Sequence, residues 1–239
     1  CIASSVNSKE NLEILGANNI SYYGNLKYIN SSKKLKKLEK LTTDSLKNRI
    51  VWIASSTHKG EEDFCFKTHK LLKNKYPNIL TIIAPRHIDR VKAIMAEVKD
   101  SGLKAKIIDD DMSIRDDIDI LLINSFGSLN KYYECCKNIF IGKSLNKELI
   151  LEGGQNPIEA ARLGCKIYHG PYIYNFMEVY EFLKKNNISE EIKSPEELSS
   201  KIIYDIDNQL KIDDSKLKKI DVFGKNIFNN TVKKLEELI

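Results

Sequence analysis

The stretch Glu152-Gly-Gly-Gln-Asn-Pro-Ile-Glu-Ala-Ala161 leads from an apolar, strand-like run at 139–141 into a helix-like run at 158–163. Its two adjacent glycines allow positive φ and a close approach of the backbone to a ligand. Asn156 suits a helix N-cap, and Pro157 suits the first helical position. A helix that begins there directs free N–H groups at the loop, which is typical of a phosphate site. The same pattern also occurs in plain tight connections.

Outward from this stretch, short apolar runs alternate with amphipathic runs between residues 50 and 185. Strands that alternate with helices predict a parallel, doubly wound α/β sheet, here a Rossmann-like one. We predict strands at 50–54, 79–83, 105–108, 119–123, 139–141 and 166–169, and helices at 61–76, 90–99, 129–136, 158–163 and 220–238.

Polar, glycine-containing stretches follow the predicted strands at 55–60, 84–87, 124–128, 142–145 and 152–156. Parallel α/β sheets bind ligands beyond the carboxyl ends of their strands, so five such loops at one edge predict a binding site. Neither Gly-x-Gly-x-x-Gly after the first strand nor a full Walker pattern, Gly-x-x-x-x-Gly-Lys-Ser/Thr, occurs. Dinucleotide redox chemistry and P-loop hydrolysis are therefore disfavoured.

Composition and charge narrow the class of protein further. The chain has 239 residues, of which 42% are hydrophobic and 30% charged, and this predicts a globular protein with a sizeable core. The net charge of +5 comes mostly from lysines spread along the chain, so we expect no nucleic-acid partner. The densest lysine run, at 33–40, is interpreted as a solvated helix face or as a contact with an anionic membrane surface.

The five cysteines include no Cys-x-x-Cys pair, so neither a disulfide framework nor a zinc site is expected. Asp109-Asp110-Asp111 is interpreted as a solvated turn, and no metal is predicted. The chain has no apolar run of 18 residues and therefore no predicted membrane span. It begins at Cys1 without a methionine, and we expect it to be a piece of a longer protein.

Several loops together resemble one family. The segments Ser56-Thr-His-Lys-Gly-Glu-Glu62, Ala84-Pro-Arg-His-x-x-Arg90 and Gly153-Gly-Gln-Asn-Pro-x-Glu159, the last followed by Gly170-Pro171, are similar to motifs of the 3-deoxy-D-manno-octulosonic acid (Kdo) transferases. Gly24-Asn-Leu-Lys27 is similar to the family's junction after its first domain. The resemblance covers nearly the whole chain, but only the C-terminal half of the family's protein.

The resemblance implies a two-domain GT-B glycosyltransferase that transfers Kdo from CMP-Kdo to a lipid A precursor in lipopolysaccharide synthesis. It implies peripheral association with the cytoplasmic face of the bacterial inner membrane, and it implies no metal or cofactor. On this basis residues 1–30 are the tail of the acceptor domain and 31–48 a helical linker. Residues 49–218 are then the donor-binding domain, and 219–239 a C-terminal helix. The catalytic carboxylate would lie in the acceptor domain, so we expect no turnover from this chain alone.

The resemblance also implies which residues hold the donor. Arg86 would pair with the CMP phosphate, and Glu159 would accept hydrogen bonds from the ribose, whereas His87 either supports the phosphate or fills the loop. Glu61 is interpreted as serving the helix dipole, and His69 and His169 as structural. The full predicted donor-binding set is Thr57, His58, Gly60, Arg86, His87, Gly127, Ser128, Leu129, Ser144, Gly153, Gly154, Asn156 and Glu159.

Four positions depart from the family's pattern. The family has His where Gln155 stands, Glu where Ser128 stands and Gly where Lys143 stands, and it has Glu-Pro-Ala where this chain has Glu159-Ala-Ala161. The loss of a carboxylate at Ser128 removes a hydrogen-bond acceptor, and Lys143 adds bulk and charge beside the predicted nucleotide. Two alternatives stay open at this stage: a GT-B half that uses a UDP- or GDP-sugar, and a non-catalytic nucleotide-binding remnant.

Overall fold

The computed structural model describes residues 1–29, 37–108, 112–125, 127 and 129–237. The chain divides into two compact units, one made of Cys1–Lys34 with Asp213–Ile239 and the other of Leu35–Ile212. Three predicted features lie outside the described residues: the aspartate turn at 109–111, the site residue Ser128 and residues 33–36 of the dense lysine run. The domain roles assigned from the sequence stay predictions.

The first unit opens with a short parallel pair of strands. Strand β1 (Ile2–Ala3) pairs with β2 (Ser21–Tyr22), and helix α1 (Val6–Ile14) connects them. Helix α1 begins where it does because the Ser5 hydroxyl accepts a hydrogen bond from the Ser8 N–H at 3.0 Å.

The second unit contains a seven-stranded sheet in the order β5-β6-β4-β3-β7-β8-β9, and all of its pairings are parallel. The predicted fold class, a doubly wound Rossmann-like sheet, is thereby confirmed. Its elements in chain order are α2 (Lys40–Leu46), β3 (Ile50–Thr57), α3 (Glu61–Lys73), β4 (Ile79–Pro85), α4 (Val91–Asp100), β5 (Ala105–Ile108), β6 (Ile120–Ile123), α5 (Leu129–Tyr133), β7 (Asn138–Ile141), α6 (Ile158–Arg162), β8 (Lys166–His169), α7 (Met177–Lys185), β9 (Ser189–Glu191) and α8 (Pro195–Asp207).

The central strands are apolar on both faces. Every residue of β4, β6 and β7 is buried, as expected for a parallel sheet that is covered by helices on each side. On one face, Trp52 of β3 and Phe140 of β7 pack with Leu72 of α3 and with Leu198 and Ile202 of α8. This core determines the plane of the sheet and leaves the loops at the strand ends on the surface.

The structure departs from the sequence predictions most at two elements, while α3 and α5 each end three residues before the predicted 76 and 136. Strand β9 extends the sheet past residue 185, although its Ser-Glu-Glu sequence carries no apolar signal. The last helix, α9 (Asp214–Glu236), begins six residues before the predicted 220, because Asp213 caps it by accepting a hydrogen bond from the Ser215 N–H at 2.6 Å. Within the first unit, Phe223 of α9 stacks on Tyr28, with ring centroids 5.9 Å apart.

A buried carboxylate, Asp119, connects several elements at the amino-terminal ends of the strands. Asp119 accepts hydrogen bonds from the Lys73 ammonium and from the Lys104 N–H, and its carboxylate lies 3.5 Å from Nε2 of His69. Nδ1 of His69 is 2.8 Å from the Thr81 hydroxyl. His69 is therefore a buried structural histidine that connects α3 to the sheet.

All five cysteines are free thiols. None of the helices within the described residues has the length and apolar character needed to cross a membrane.

Acidification is expected to destabilise the fold through His69. Burial lowers the pKa of this imidazole from 6.5 to about 4; Asp119 opposes the shift, and Lys73 and Arg49 add to it. The unfolded chain then binds a proton that the folded chain excludes. The stabilisation is therefore complete above pH 6.5 and is lost as the pH falls toward 4, at ~1.4 kcal/mol per pH unit.

Urea unfolding at several pH values between 7.5 and 4.5 measures this slope. The His69→Gln variant keeps a polar side chain but does not titrate, so its stability should depend less on pH than that of the wild type. Equal slopes in the two proteins would contradict the assignment to His69.

Candidate functional site

The strands β3, β4, β6, β7 and β8 end at one edge of the sheet, the carboxyl edge, because they all run parallel. The chain leaves β3 toward β4 on one side, whereas β7, on the other side of β3, is reached only after β6. Strand order thus reverses between β3 and β7, and such a reversal leaves a crevice in which α/β proteins bind ligands. The loops that the sequence predicts as ligand contacts follow these same strands.

The turn after β3 depends on two residues with positive φ, Ser56 at +56° and Gly60 at +93°. Ser56 shifts the register between β3 and β4, and Thr57 beyond it is fully buried. The Thr57 hydroxyl donates to Oε1 of Glu62 at 2.8 Å. Thr57 thus supports the turn from beneath the surface.

A buried ion pair joins this turn to the loop after β4. Arg90 donates to both carboxylate oxygens of Glu62, at 2.8 and 3.0 Å, and the Glu62 side chain has no exposed surface. The hydrogen bond to Glu62 is the largest cause of the raised pKa of Arg90. The last residue of the Arg86-His87-x-x-Arg90 motif is therefore an internal anchor, which leaves Arg86 and His87 at the surface.

Glu61 connects the turn after β3 to the loop after β7. Its buried carboxylate accepts four backbone N–H groups: Oε2 accepts from His58 at 2.9 Å and Lys143 at 2.8 Å, and Oε1 accepts from Ser144 at 2.9 Å and Leu145 at 3.0 Å. The His58 N–H is therefore already bonded within the chain. The sequence assigned Glu61 only to the helix dipole, because the acceptor role depends on residues more than 80 positions away.

The loop after β7 lies tightly against this carboxylate. A Cβ at Gly142 would lie 2.6 Å from Oε2 of Glu61, so no other residue fits there without displacement. Ser144 is fully buried: its hydroxyl donates to the Ile141 carbonyl at 2.7 Å and accepts from the Gly170 N–H at 2.9 Å. Ser144 therefore connects the ends of β7 and β8 beneath the surface.

The glycine pair of the opening stretch is required by the chain's own backbone. A Cβ at Gly153 would lie 2.4 Å from the Tyr172 carbonyl oxygen. Gly154 has φ +87°, and its N–H donates to the Lys143 carbonyl at 2.6 Å. Both glycines are buried, so the close approach that they permit is to the segment after β8.

Helix α6 follows this pair. Its first residue is Ile158, where the predicted run 158–163 begins, and Pro157 immediately precedes it. Oδ1 of Asn156 accepts a hydrogen bond from the Ile158 N–H at 3.0 Å, which is the capping contact expected of it. Glu159 lies in the first turn with its side chain exposed.

Basic and imidazole residues of the loops after β3, β4 and β7 lie at the carboxyl edge. The rings of His58 and His87 meet edge to face, with centroids 5.7 Å apart. Arg86 is exposed beside His87, and the backbone N–H of Arg86 donates to the Thr57 carbonyl at 3.0 Å. The Lys143 ammonium lies 3.9 Å from a carboxylate oxygen of Glu152, and the lysine side chain is 18% exposed. We call Arg86, His58, His87 and Lys143 the basic cluster.

His58 carries little charge within this cluster at neutral pH. Burial is the main cause of its lowered pKa, and the neighbouring Lys143 and His87 lower the pKa further. Nδ1 of His58 lies 3.1 Å from the Ser56 carbonyl oxygen, which can only accept, so the ring hydrogen is on Nδ1. Nε2 is then the acceptor of the neutral ring.

The described members of the predicted donor-binding set fall into three groups by exposure. Thr57, Ser144, Gly153 and Gly154 are buried beneath the edge. His58 and Leu129 are half-buried, and Leu129 lies on α5, which packs against α6. The exposed members are Gly60, Arg86, His87, Gly127, Asn156 and Glu159.

Two other features lie apart from this edge. A cavity of about 240 Å³ at the amino-terminal end of β3 and β7 is lined by Ile50, Cys135, Cys136 and Asp205, among others. Its carboxylate, Asp205, is already bonded to Asn138 and Tyr168, so the cavity offers little to a ligand. Within the part of the chain that the structure describes, no group of three His, Cys, Asp or Glu side chains is arranged to hold a metal.

Two curated proteins that are similar in sequence are Kdo transferases by name. The chain is 32% identical over 162 residues to the 3-deoxy-D-manno-octulosonic acid transferase of Haemophilus influenzae, which covers 67% of this chain and 37% of that protein. It is 27% identical over 207 residues to the transferase of the same name from Aquifex aeolicus, covering 86% and 54%. The chain thus spans about half the length, or less, of these relatives. No protein-family model matches it.

Solved structures show the same architecture. The C-terminal CMP-Kdo binding domain of WaaA from Acinetobacter baumannii matches with a TM-score of 0.65 and 20% identity, over 79% of this chain and 94% of that one. Anabaena Alr3699/HepE, solved with UDP and glucose, matches with a TM-score of 0.56 and 13% identity, over 99% of this chain and 62% of that one. At these identities the likeness shows the fold, a Rossmann-like α/β domain of the GT-B kind.

Removing the Arg90 side chain should be strongly destabilising. The Arg90→Met variant leaves the fully buried Glu62 carboxylate without its cation, and breaking such a pair costs about 3–5 kcal/mol. Chemical denaturation measures the free energy of unfolding. The double variant Glu62→Gln/Arg90→Met should regain much of the loss because it buries no unpaired charge. A loss below ~1 kcal/mol in the single variant would contradict the anchoring role.

Proposed function

Since this chain is related to the 3-deoxy-D-manno-octulosonic acid (Kdo) transferases, we propose that it binds CMP-Kdo and serves as the donor-binding half of such an enzyme. The observation that carries the proposal is the basic cluster, which lies at the carboxyl edge beside the reversal of strand order. A sugar nucleotide with a phosphate and a carboxylate matches this charge. The glycosyltransferase class follows from the relatives.

In this proposal the exposed residues contact the donor and the buried ones hold the loops. The Arg86 guanidinium pairs with the CMP phosphate, with the Lys143 ammonium and His87 beside it. Glu159 accepts hydrogen bonds from the ribose hydroxyls, and Asn156 contributes its amide next to it. The buried members of the predicted set (Thr57, Ser144, Gly153 and Gly154) and Gly60 shape the loops. Gly127, Leu129 and Ser128 remain predicted contacts of the nucleotide, and Ser128 lies outside the described residues.

The proposed reaction transfers the Kdo group from phosphate to an acceptor hydroxyl. The hydroxyl oxygen forms a bond to the anomeric carbon while the bond from that carbon to the phosphate oxygen breaks, and the electron pair leaves with CMP. Arg86 stabilises the negative charge that develops on the leaving phosphate. The hydroxyl proton passes to a base that we assign to the part of the relatives that this chain does not match.

The acceptor and the place of action follow from the family resemblance. We propose a lipid A precursor as the acceptor, held by a separate domain, and peripheral association with the cytoplasmic face of the inner membrane. Turnover then requires both domains, so the isolated chain should bind the donor without transferring sugar.

Calorimetric titration with CMP, UMP and GDP tests the donor assignment. The wild type should bind CMP in preference to the other two nucleotides. Arg86→Ala and Glu159→Ala should each weaken CMP binding by about tenfold or more, since each removes charge-assisted hydrogen bonds. Raising the salt concentration should weaken CMP binding by the wild type, because salt screens the attraction between charges.

The matched control is Arg115→Ala. Arg115 is another exposed arginine, but it pairs with Asp117 in the loop before β6, at the amino-terminal edge. An equal loss of affinity in this control would argue against the basic cluster. A preference for UMP or GDP would overturn the Kdo assignment and favour a different GT-B donor. No binding of CMP by a folded chain would overturn the proposal that this chain alone binds the donor.

A further inference from the structure

We infer that Glu61 is a positioning residue of the candidate site: its carboxylate occupies an anion-binding hollow of backbone N–H groups and thereby sets the spacing of the loops that hold the ligand. This inference rests on the proposed function for what the loops bind, but its geometric basis is independent. Glu61 is 2% exposed, so it has no access to the ligand and acts through the loops.

The carboxylate is saturated by the chain itself. A carboxylate offers about four good acceptor directions, and Glu61 fills them with the N–H groups of His58, Lys143, Ser144 and Leu145, all between 2.8 and 3.0 Å. Hydrogen bonds to a charged acceptor are among the stronger ones in proteins. The two loops are therefore held at one separation by a single side chain.

The loop after β7 is shaped to receive an anion. Lys143 has φ +57°, a conformation that turns successive N–H groups toward the same side, as in the concave anion-binding nests of other proteins. Gly142 leaves the space that the carboxylate oxygen occupies, since a Cβ there would lie 2.6 Å from it. In this chain the occupant of the nest is a side chain from α3.

One oxygen atom of Glu61 bears directly on the basic cluster. Oε2 accepts from the N–H of His58 and from that of Lys143. These residues lie in the loops that follow β3 and β7, the strands on either side of the reversal, and their side chains belong to the cluster. The distance between the two halves of the cluster thus depends on this atom. Because the N–H groups are already used, ligand recognition is left to the side chains.

A dipole role alone would make a different prediction. Glu61, Glu62 and Asp63 all lie in the first turn of α3, where negative charge is favourable. Asp63 is 62% exposed and pairs with Lys67 in its own helix. If Glu61 acted only on the dipole, Glu61→Ala and Asp63→Ala would have similar, small effects. Asp63→Ala is therefore the matched control.

The experiment is chemical rescue with acetate. Glu61→Ala removes the atoms of an acetate ion and leaves a hollow lined by four N–H donors, which free acetate fits. Thermal unfolding and CMP titration of the wild type, Glu61→Ala and Asp63→Ala are compared in sodium acetate and in sodium chloride of equal ionic strength. In chloride, Glu61→Ala should lose about 5–10 °C in Tm, because four backbone N–H donors lose their charged acceptor.

Acetate should restore much of the lost Tm in Glu61→Ala and should leave the wild type and Asp63→Ala unchanged. The CMP affinity of Glu61→Ala should fall about tenfold in chloride and recover in acetate, whereas a generally weakened fold would not respond to the anion. Equal small losses in both variants, with no response to acetate, would overturn the inference. Rescue of Tm in a chain whose wild type does not bind CMP would support the positioning role and reject the donor assignment.

A second variant keeps the inference testable if Glu61→Ala does not fold. Glu61→Gln retains the size of the side chain but turns an amide NH₂ toward N–H donors. The backbone amides of Lys143, Ser144 and Leu145 should then exchange with solvent about tenfold faster than in the wild type, while Ile82 in the central sheet stays unchanged. Unchanged exchange at the three loop amides would overturn the inference.

Discussion

Parallel pairing of β3 with both β4 and β7 is the constraint on which the structure of the second unit depends. It buries the central strands on both faces, which accounts for their mostly apolar sequences. It also brings every strand of the sheet to the same edge, so that loops far apart in sequence become neighbours. The candidate site is built from several of these loops, and only the parallel pairing of the strands brings them together.

Buried carboxylates hold the neighbouring loops in fixed positions by hydrogen bonds. Glu61 bonds the turn after β3 to the loop after β7, and Glu62 bonds the same turn to Arg90 after β4. At the opposite edge Asp119 serves α3 and the sheet in the same way. A buried charge is tolerated only when its partners are complete, so each of these side chains requires its loops to stay in one arrangement. The exposed basic cluster rests on that internal network.

The sequence pattern predicted most of the helices and strands. The apolar runs predicted six of the strands of the sheet within a few residues, and strict strand–helix alternation led to the correct fold class. Strand β9 was missed because a Ser-Glu-Glu edge strand has no hydrophobic period, and α9 was predicted too short because its cap, Asp213, lies before the apolar repeat. The location of the predicted loops at one edge followed from the alternation alone.

The sequence by itself determined the sheet, the edge at which its loops meet and the positions where glycine is needed. These depend on local periodicity and on backbone conformations that few other residues adopt. Only the tertiary structure decided which members of the motifs face outward. Glu61 and Arg90 turn inward, while Arg86 and Glu159 stay exposed. The reason is physical: the partners of Glu61 are backbone N–H groups, which nearly every residue type carries, so no residue pattern could have marked them.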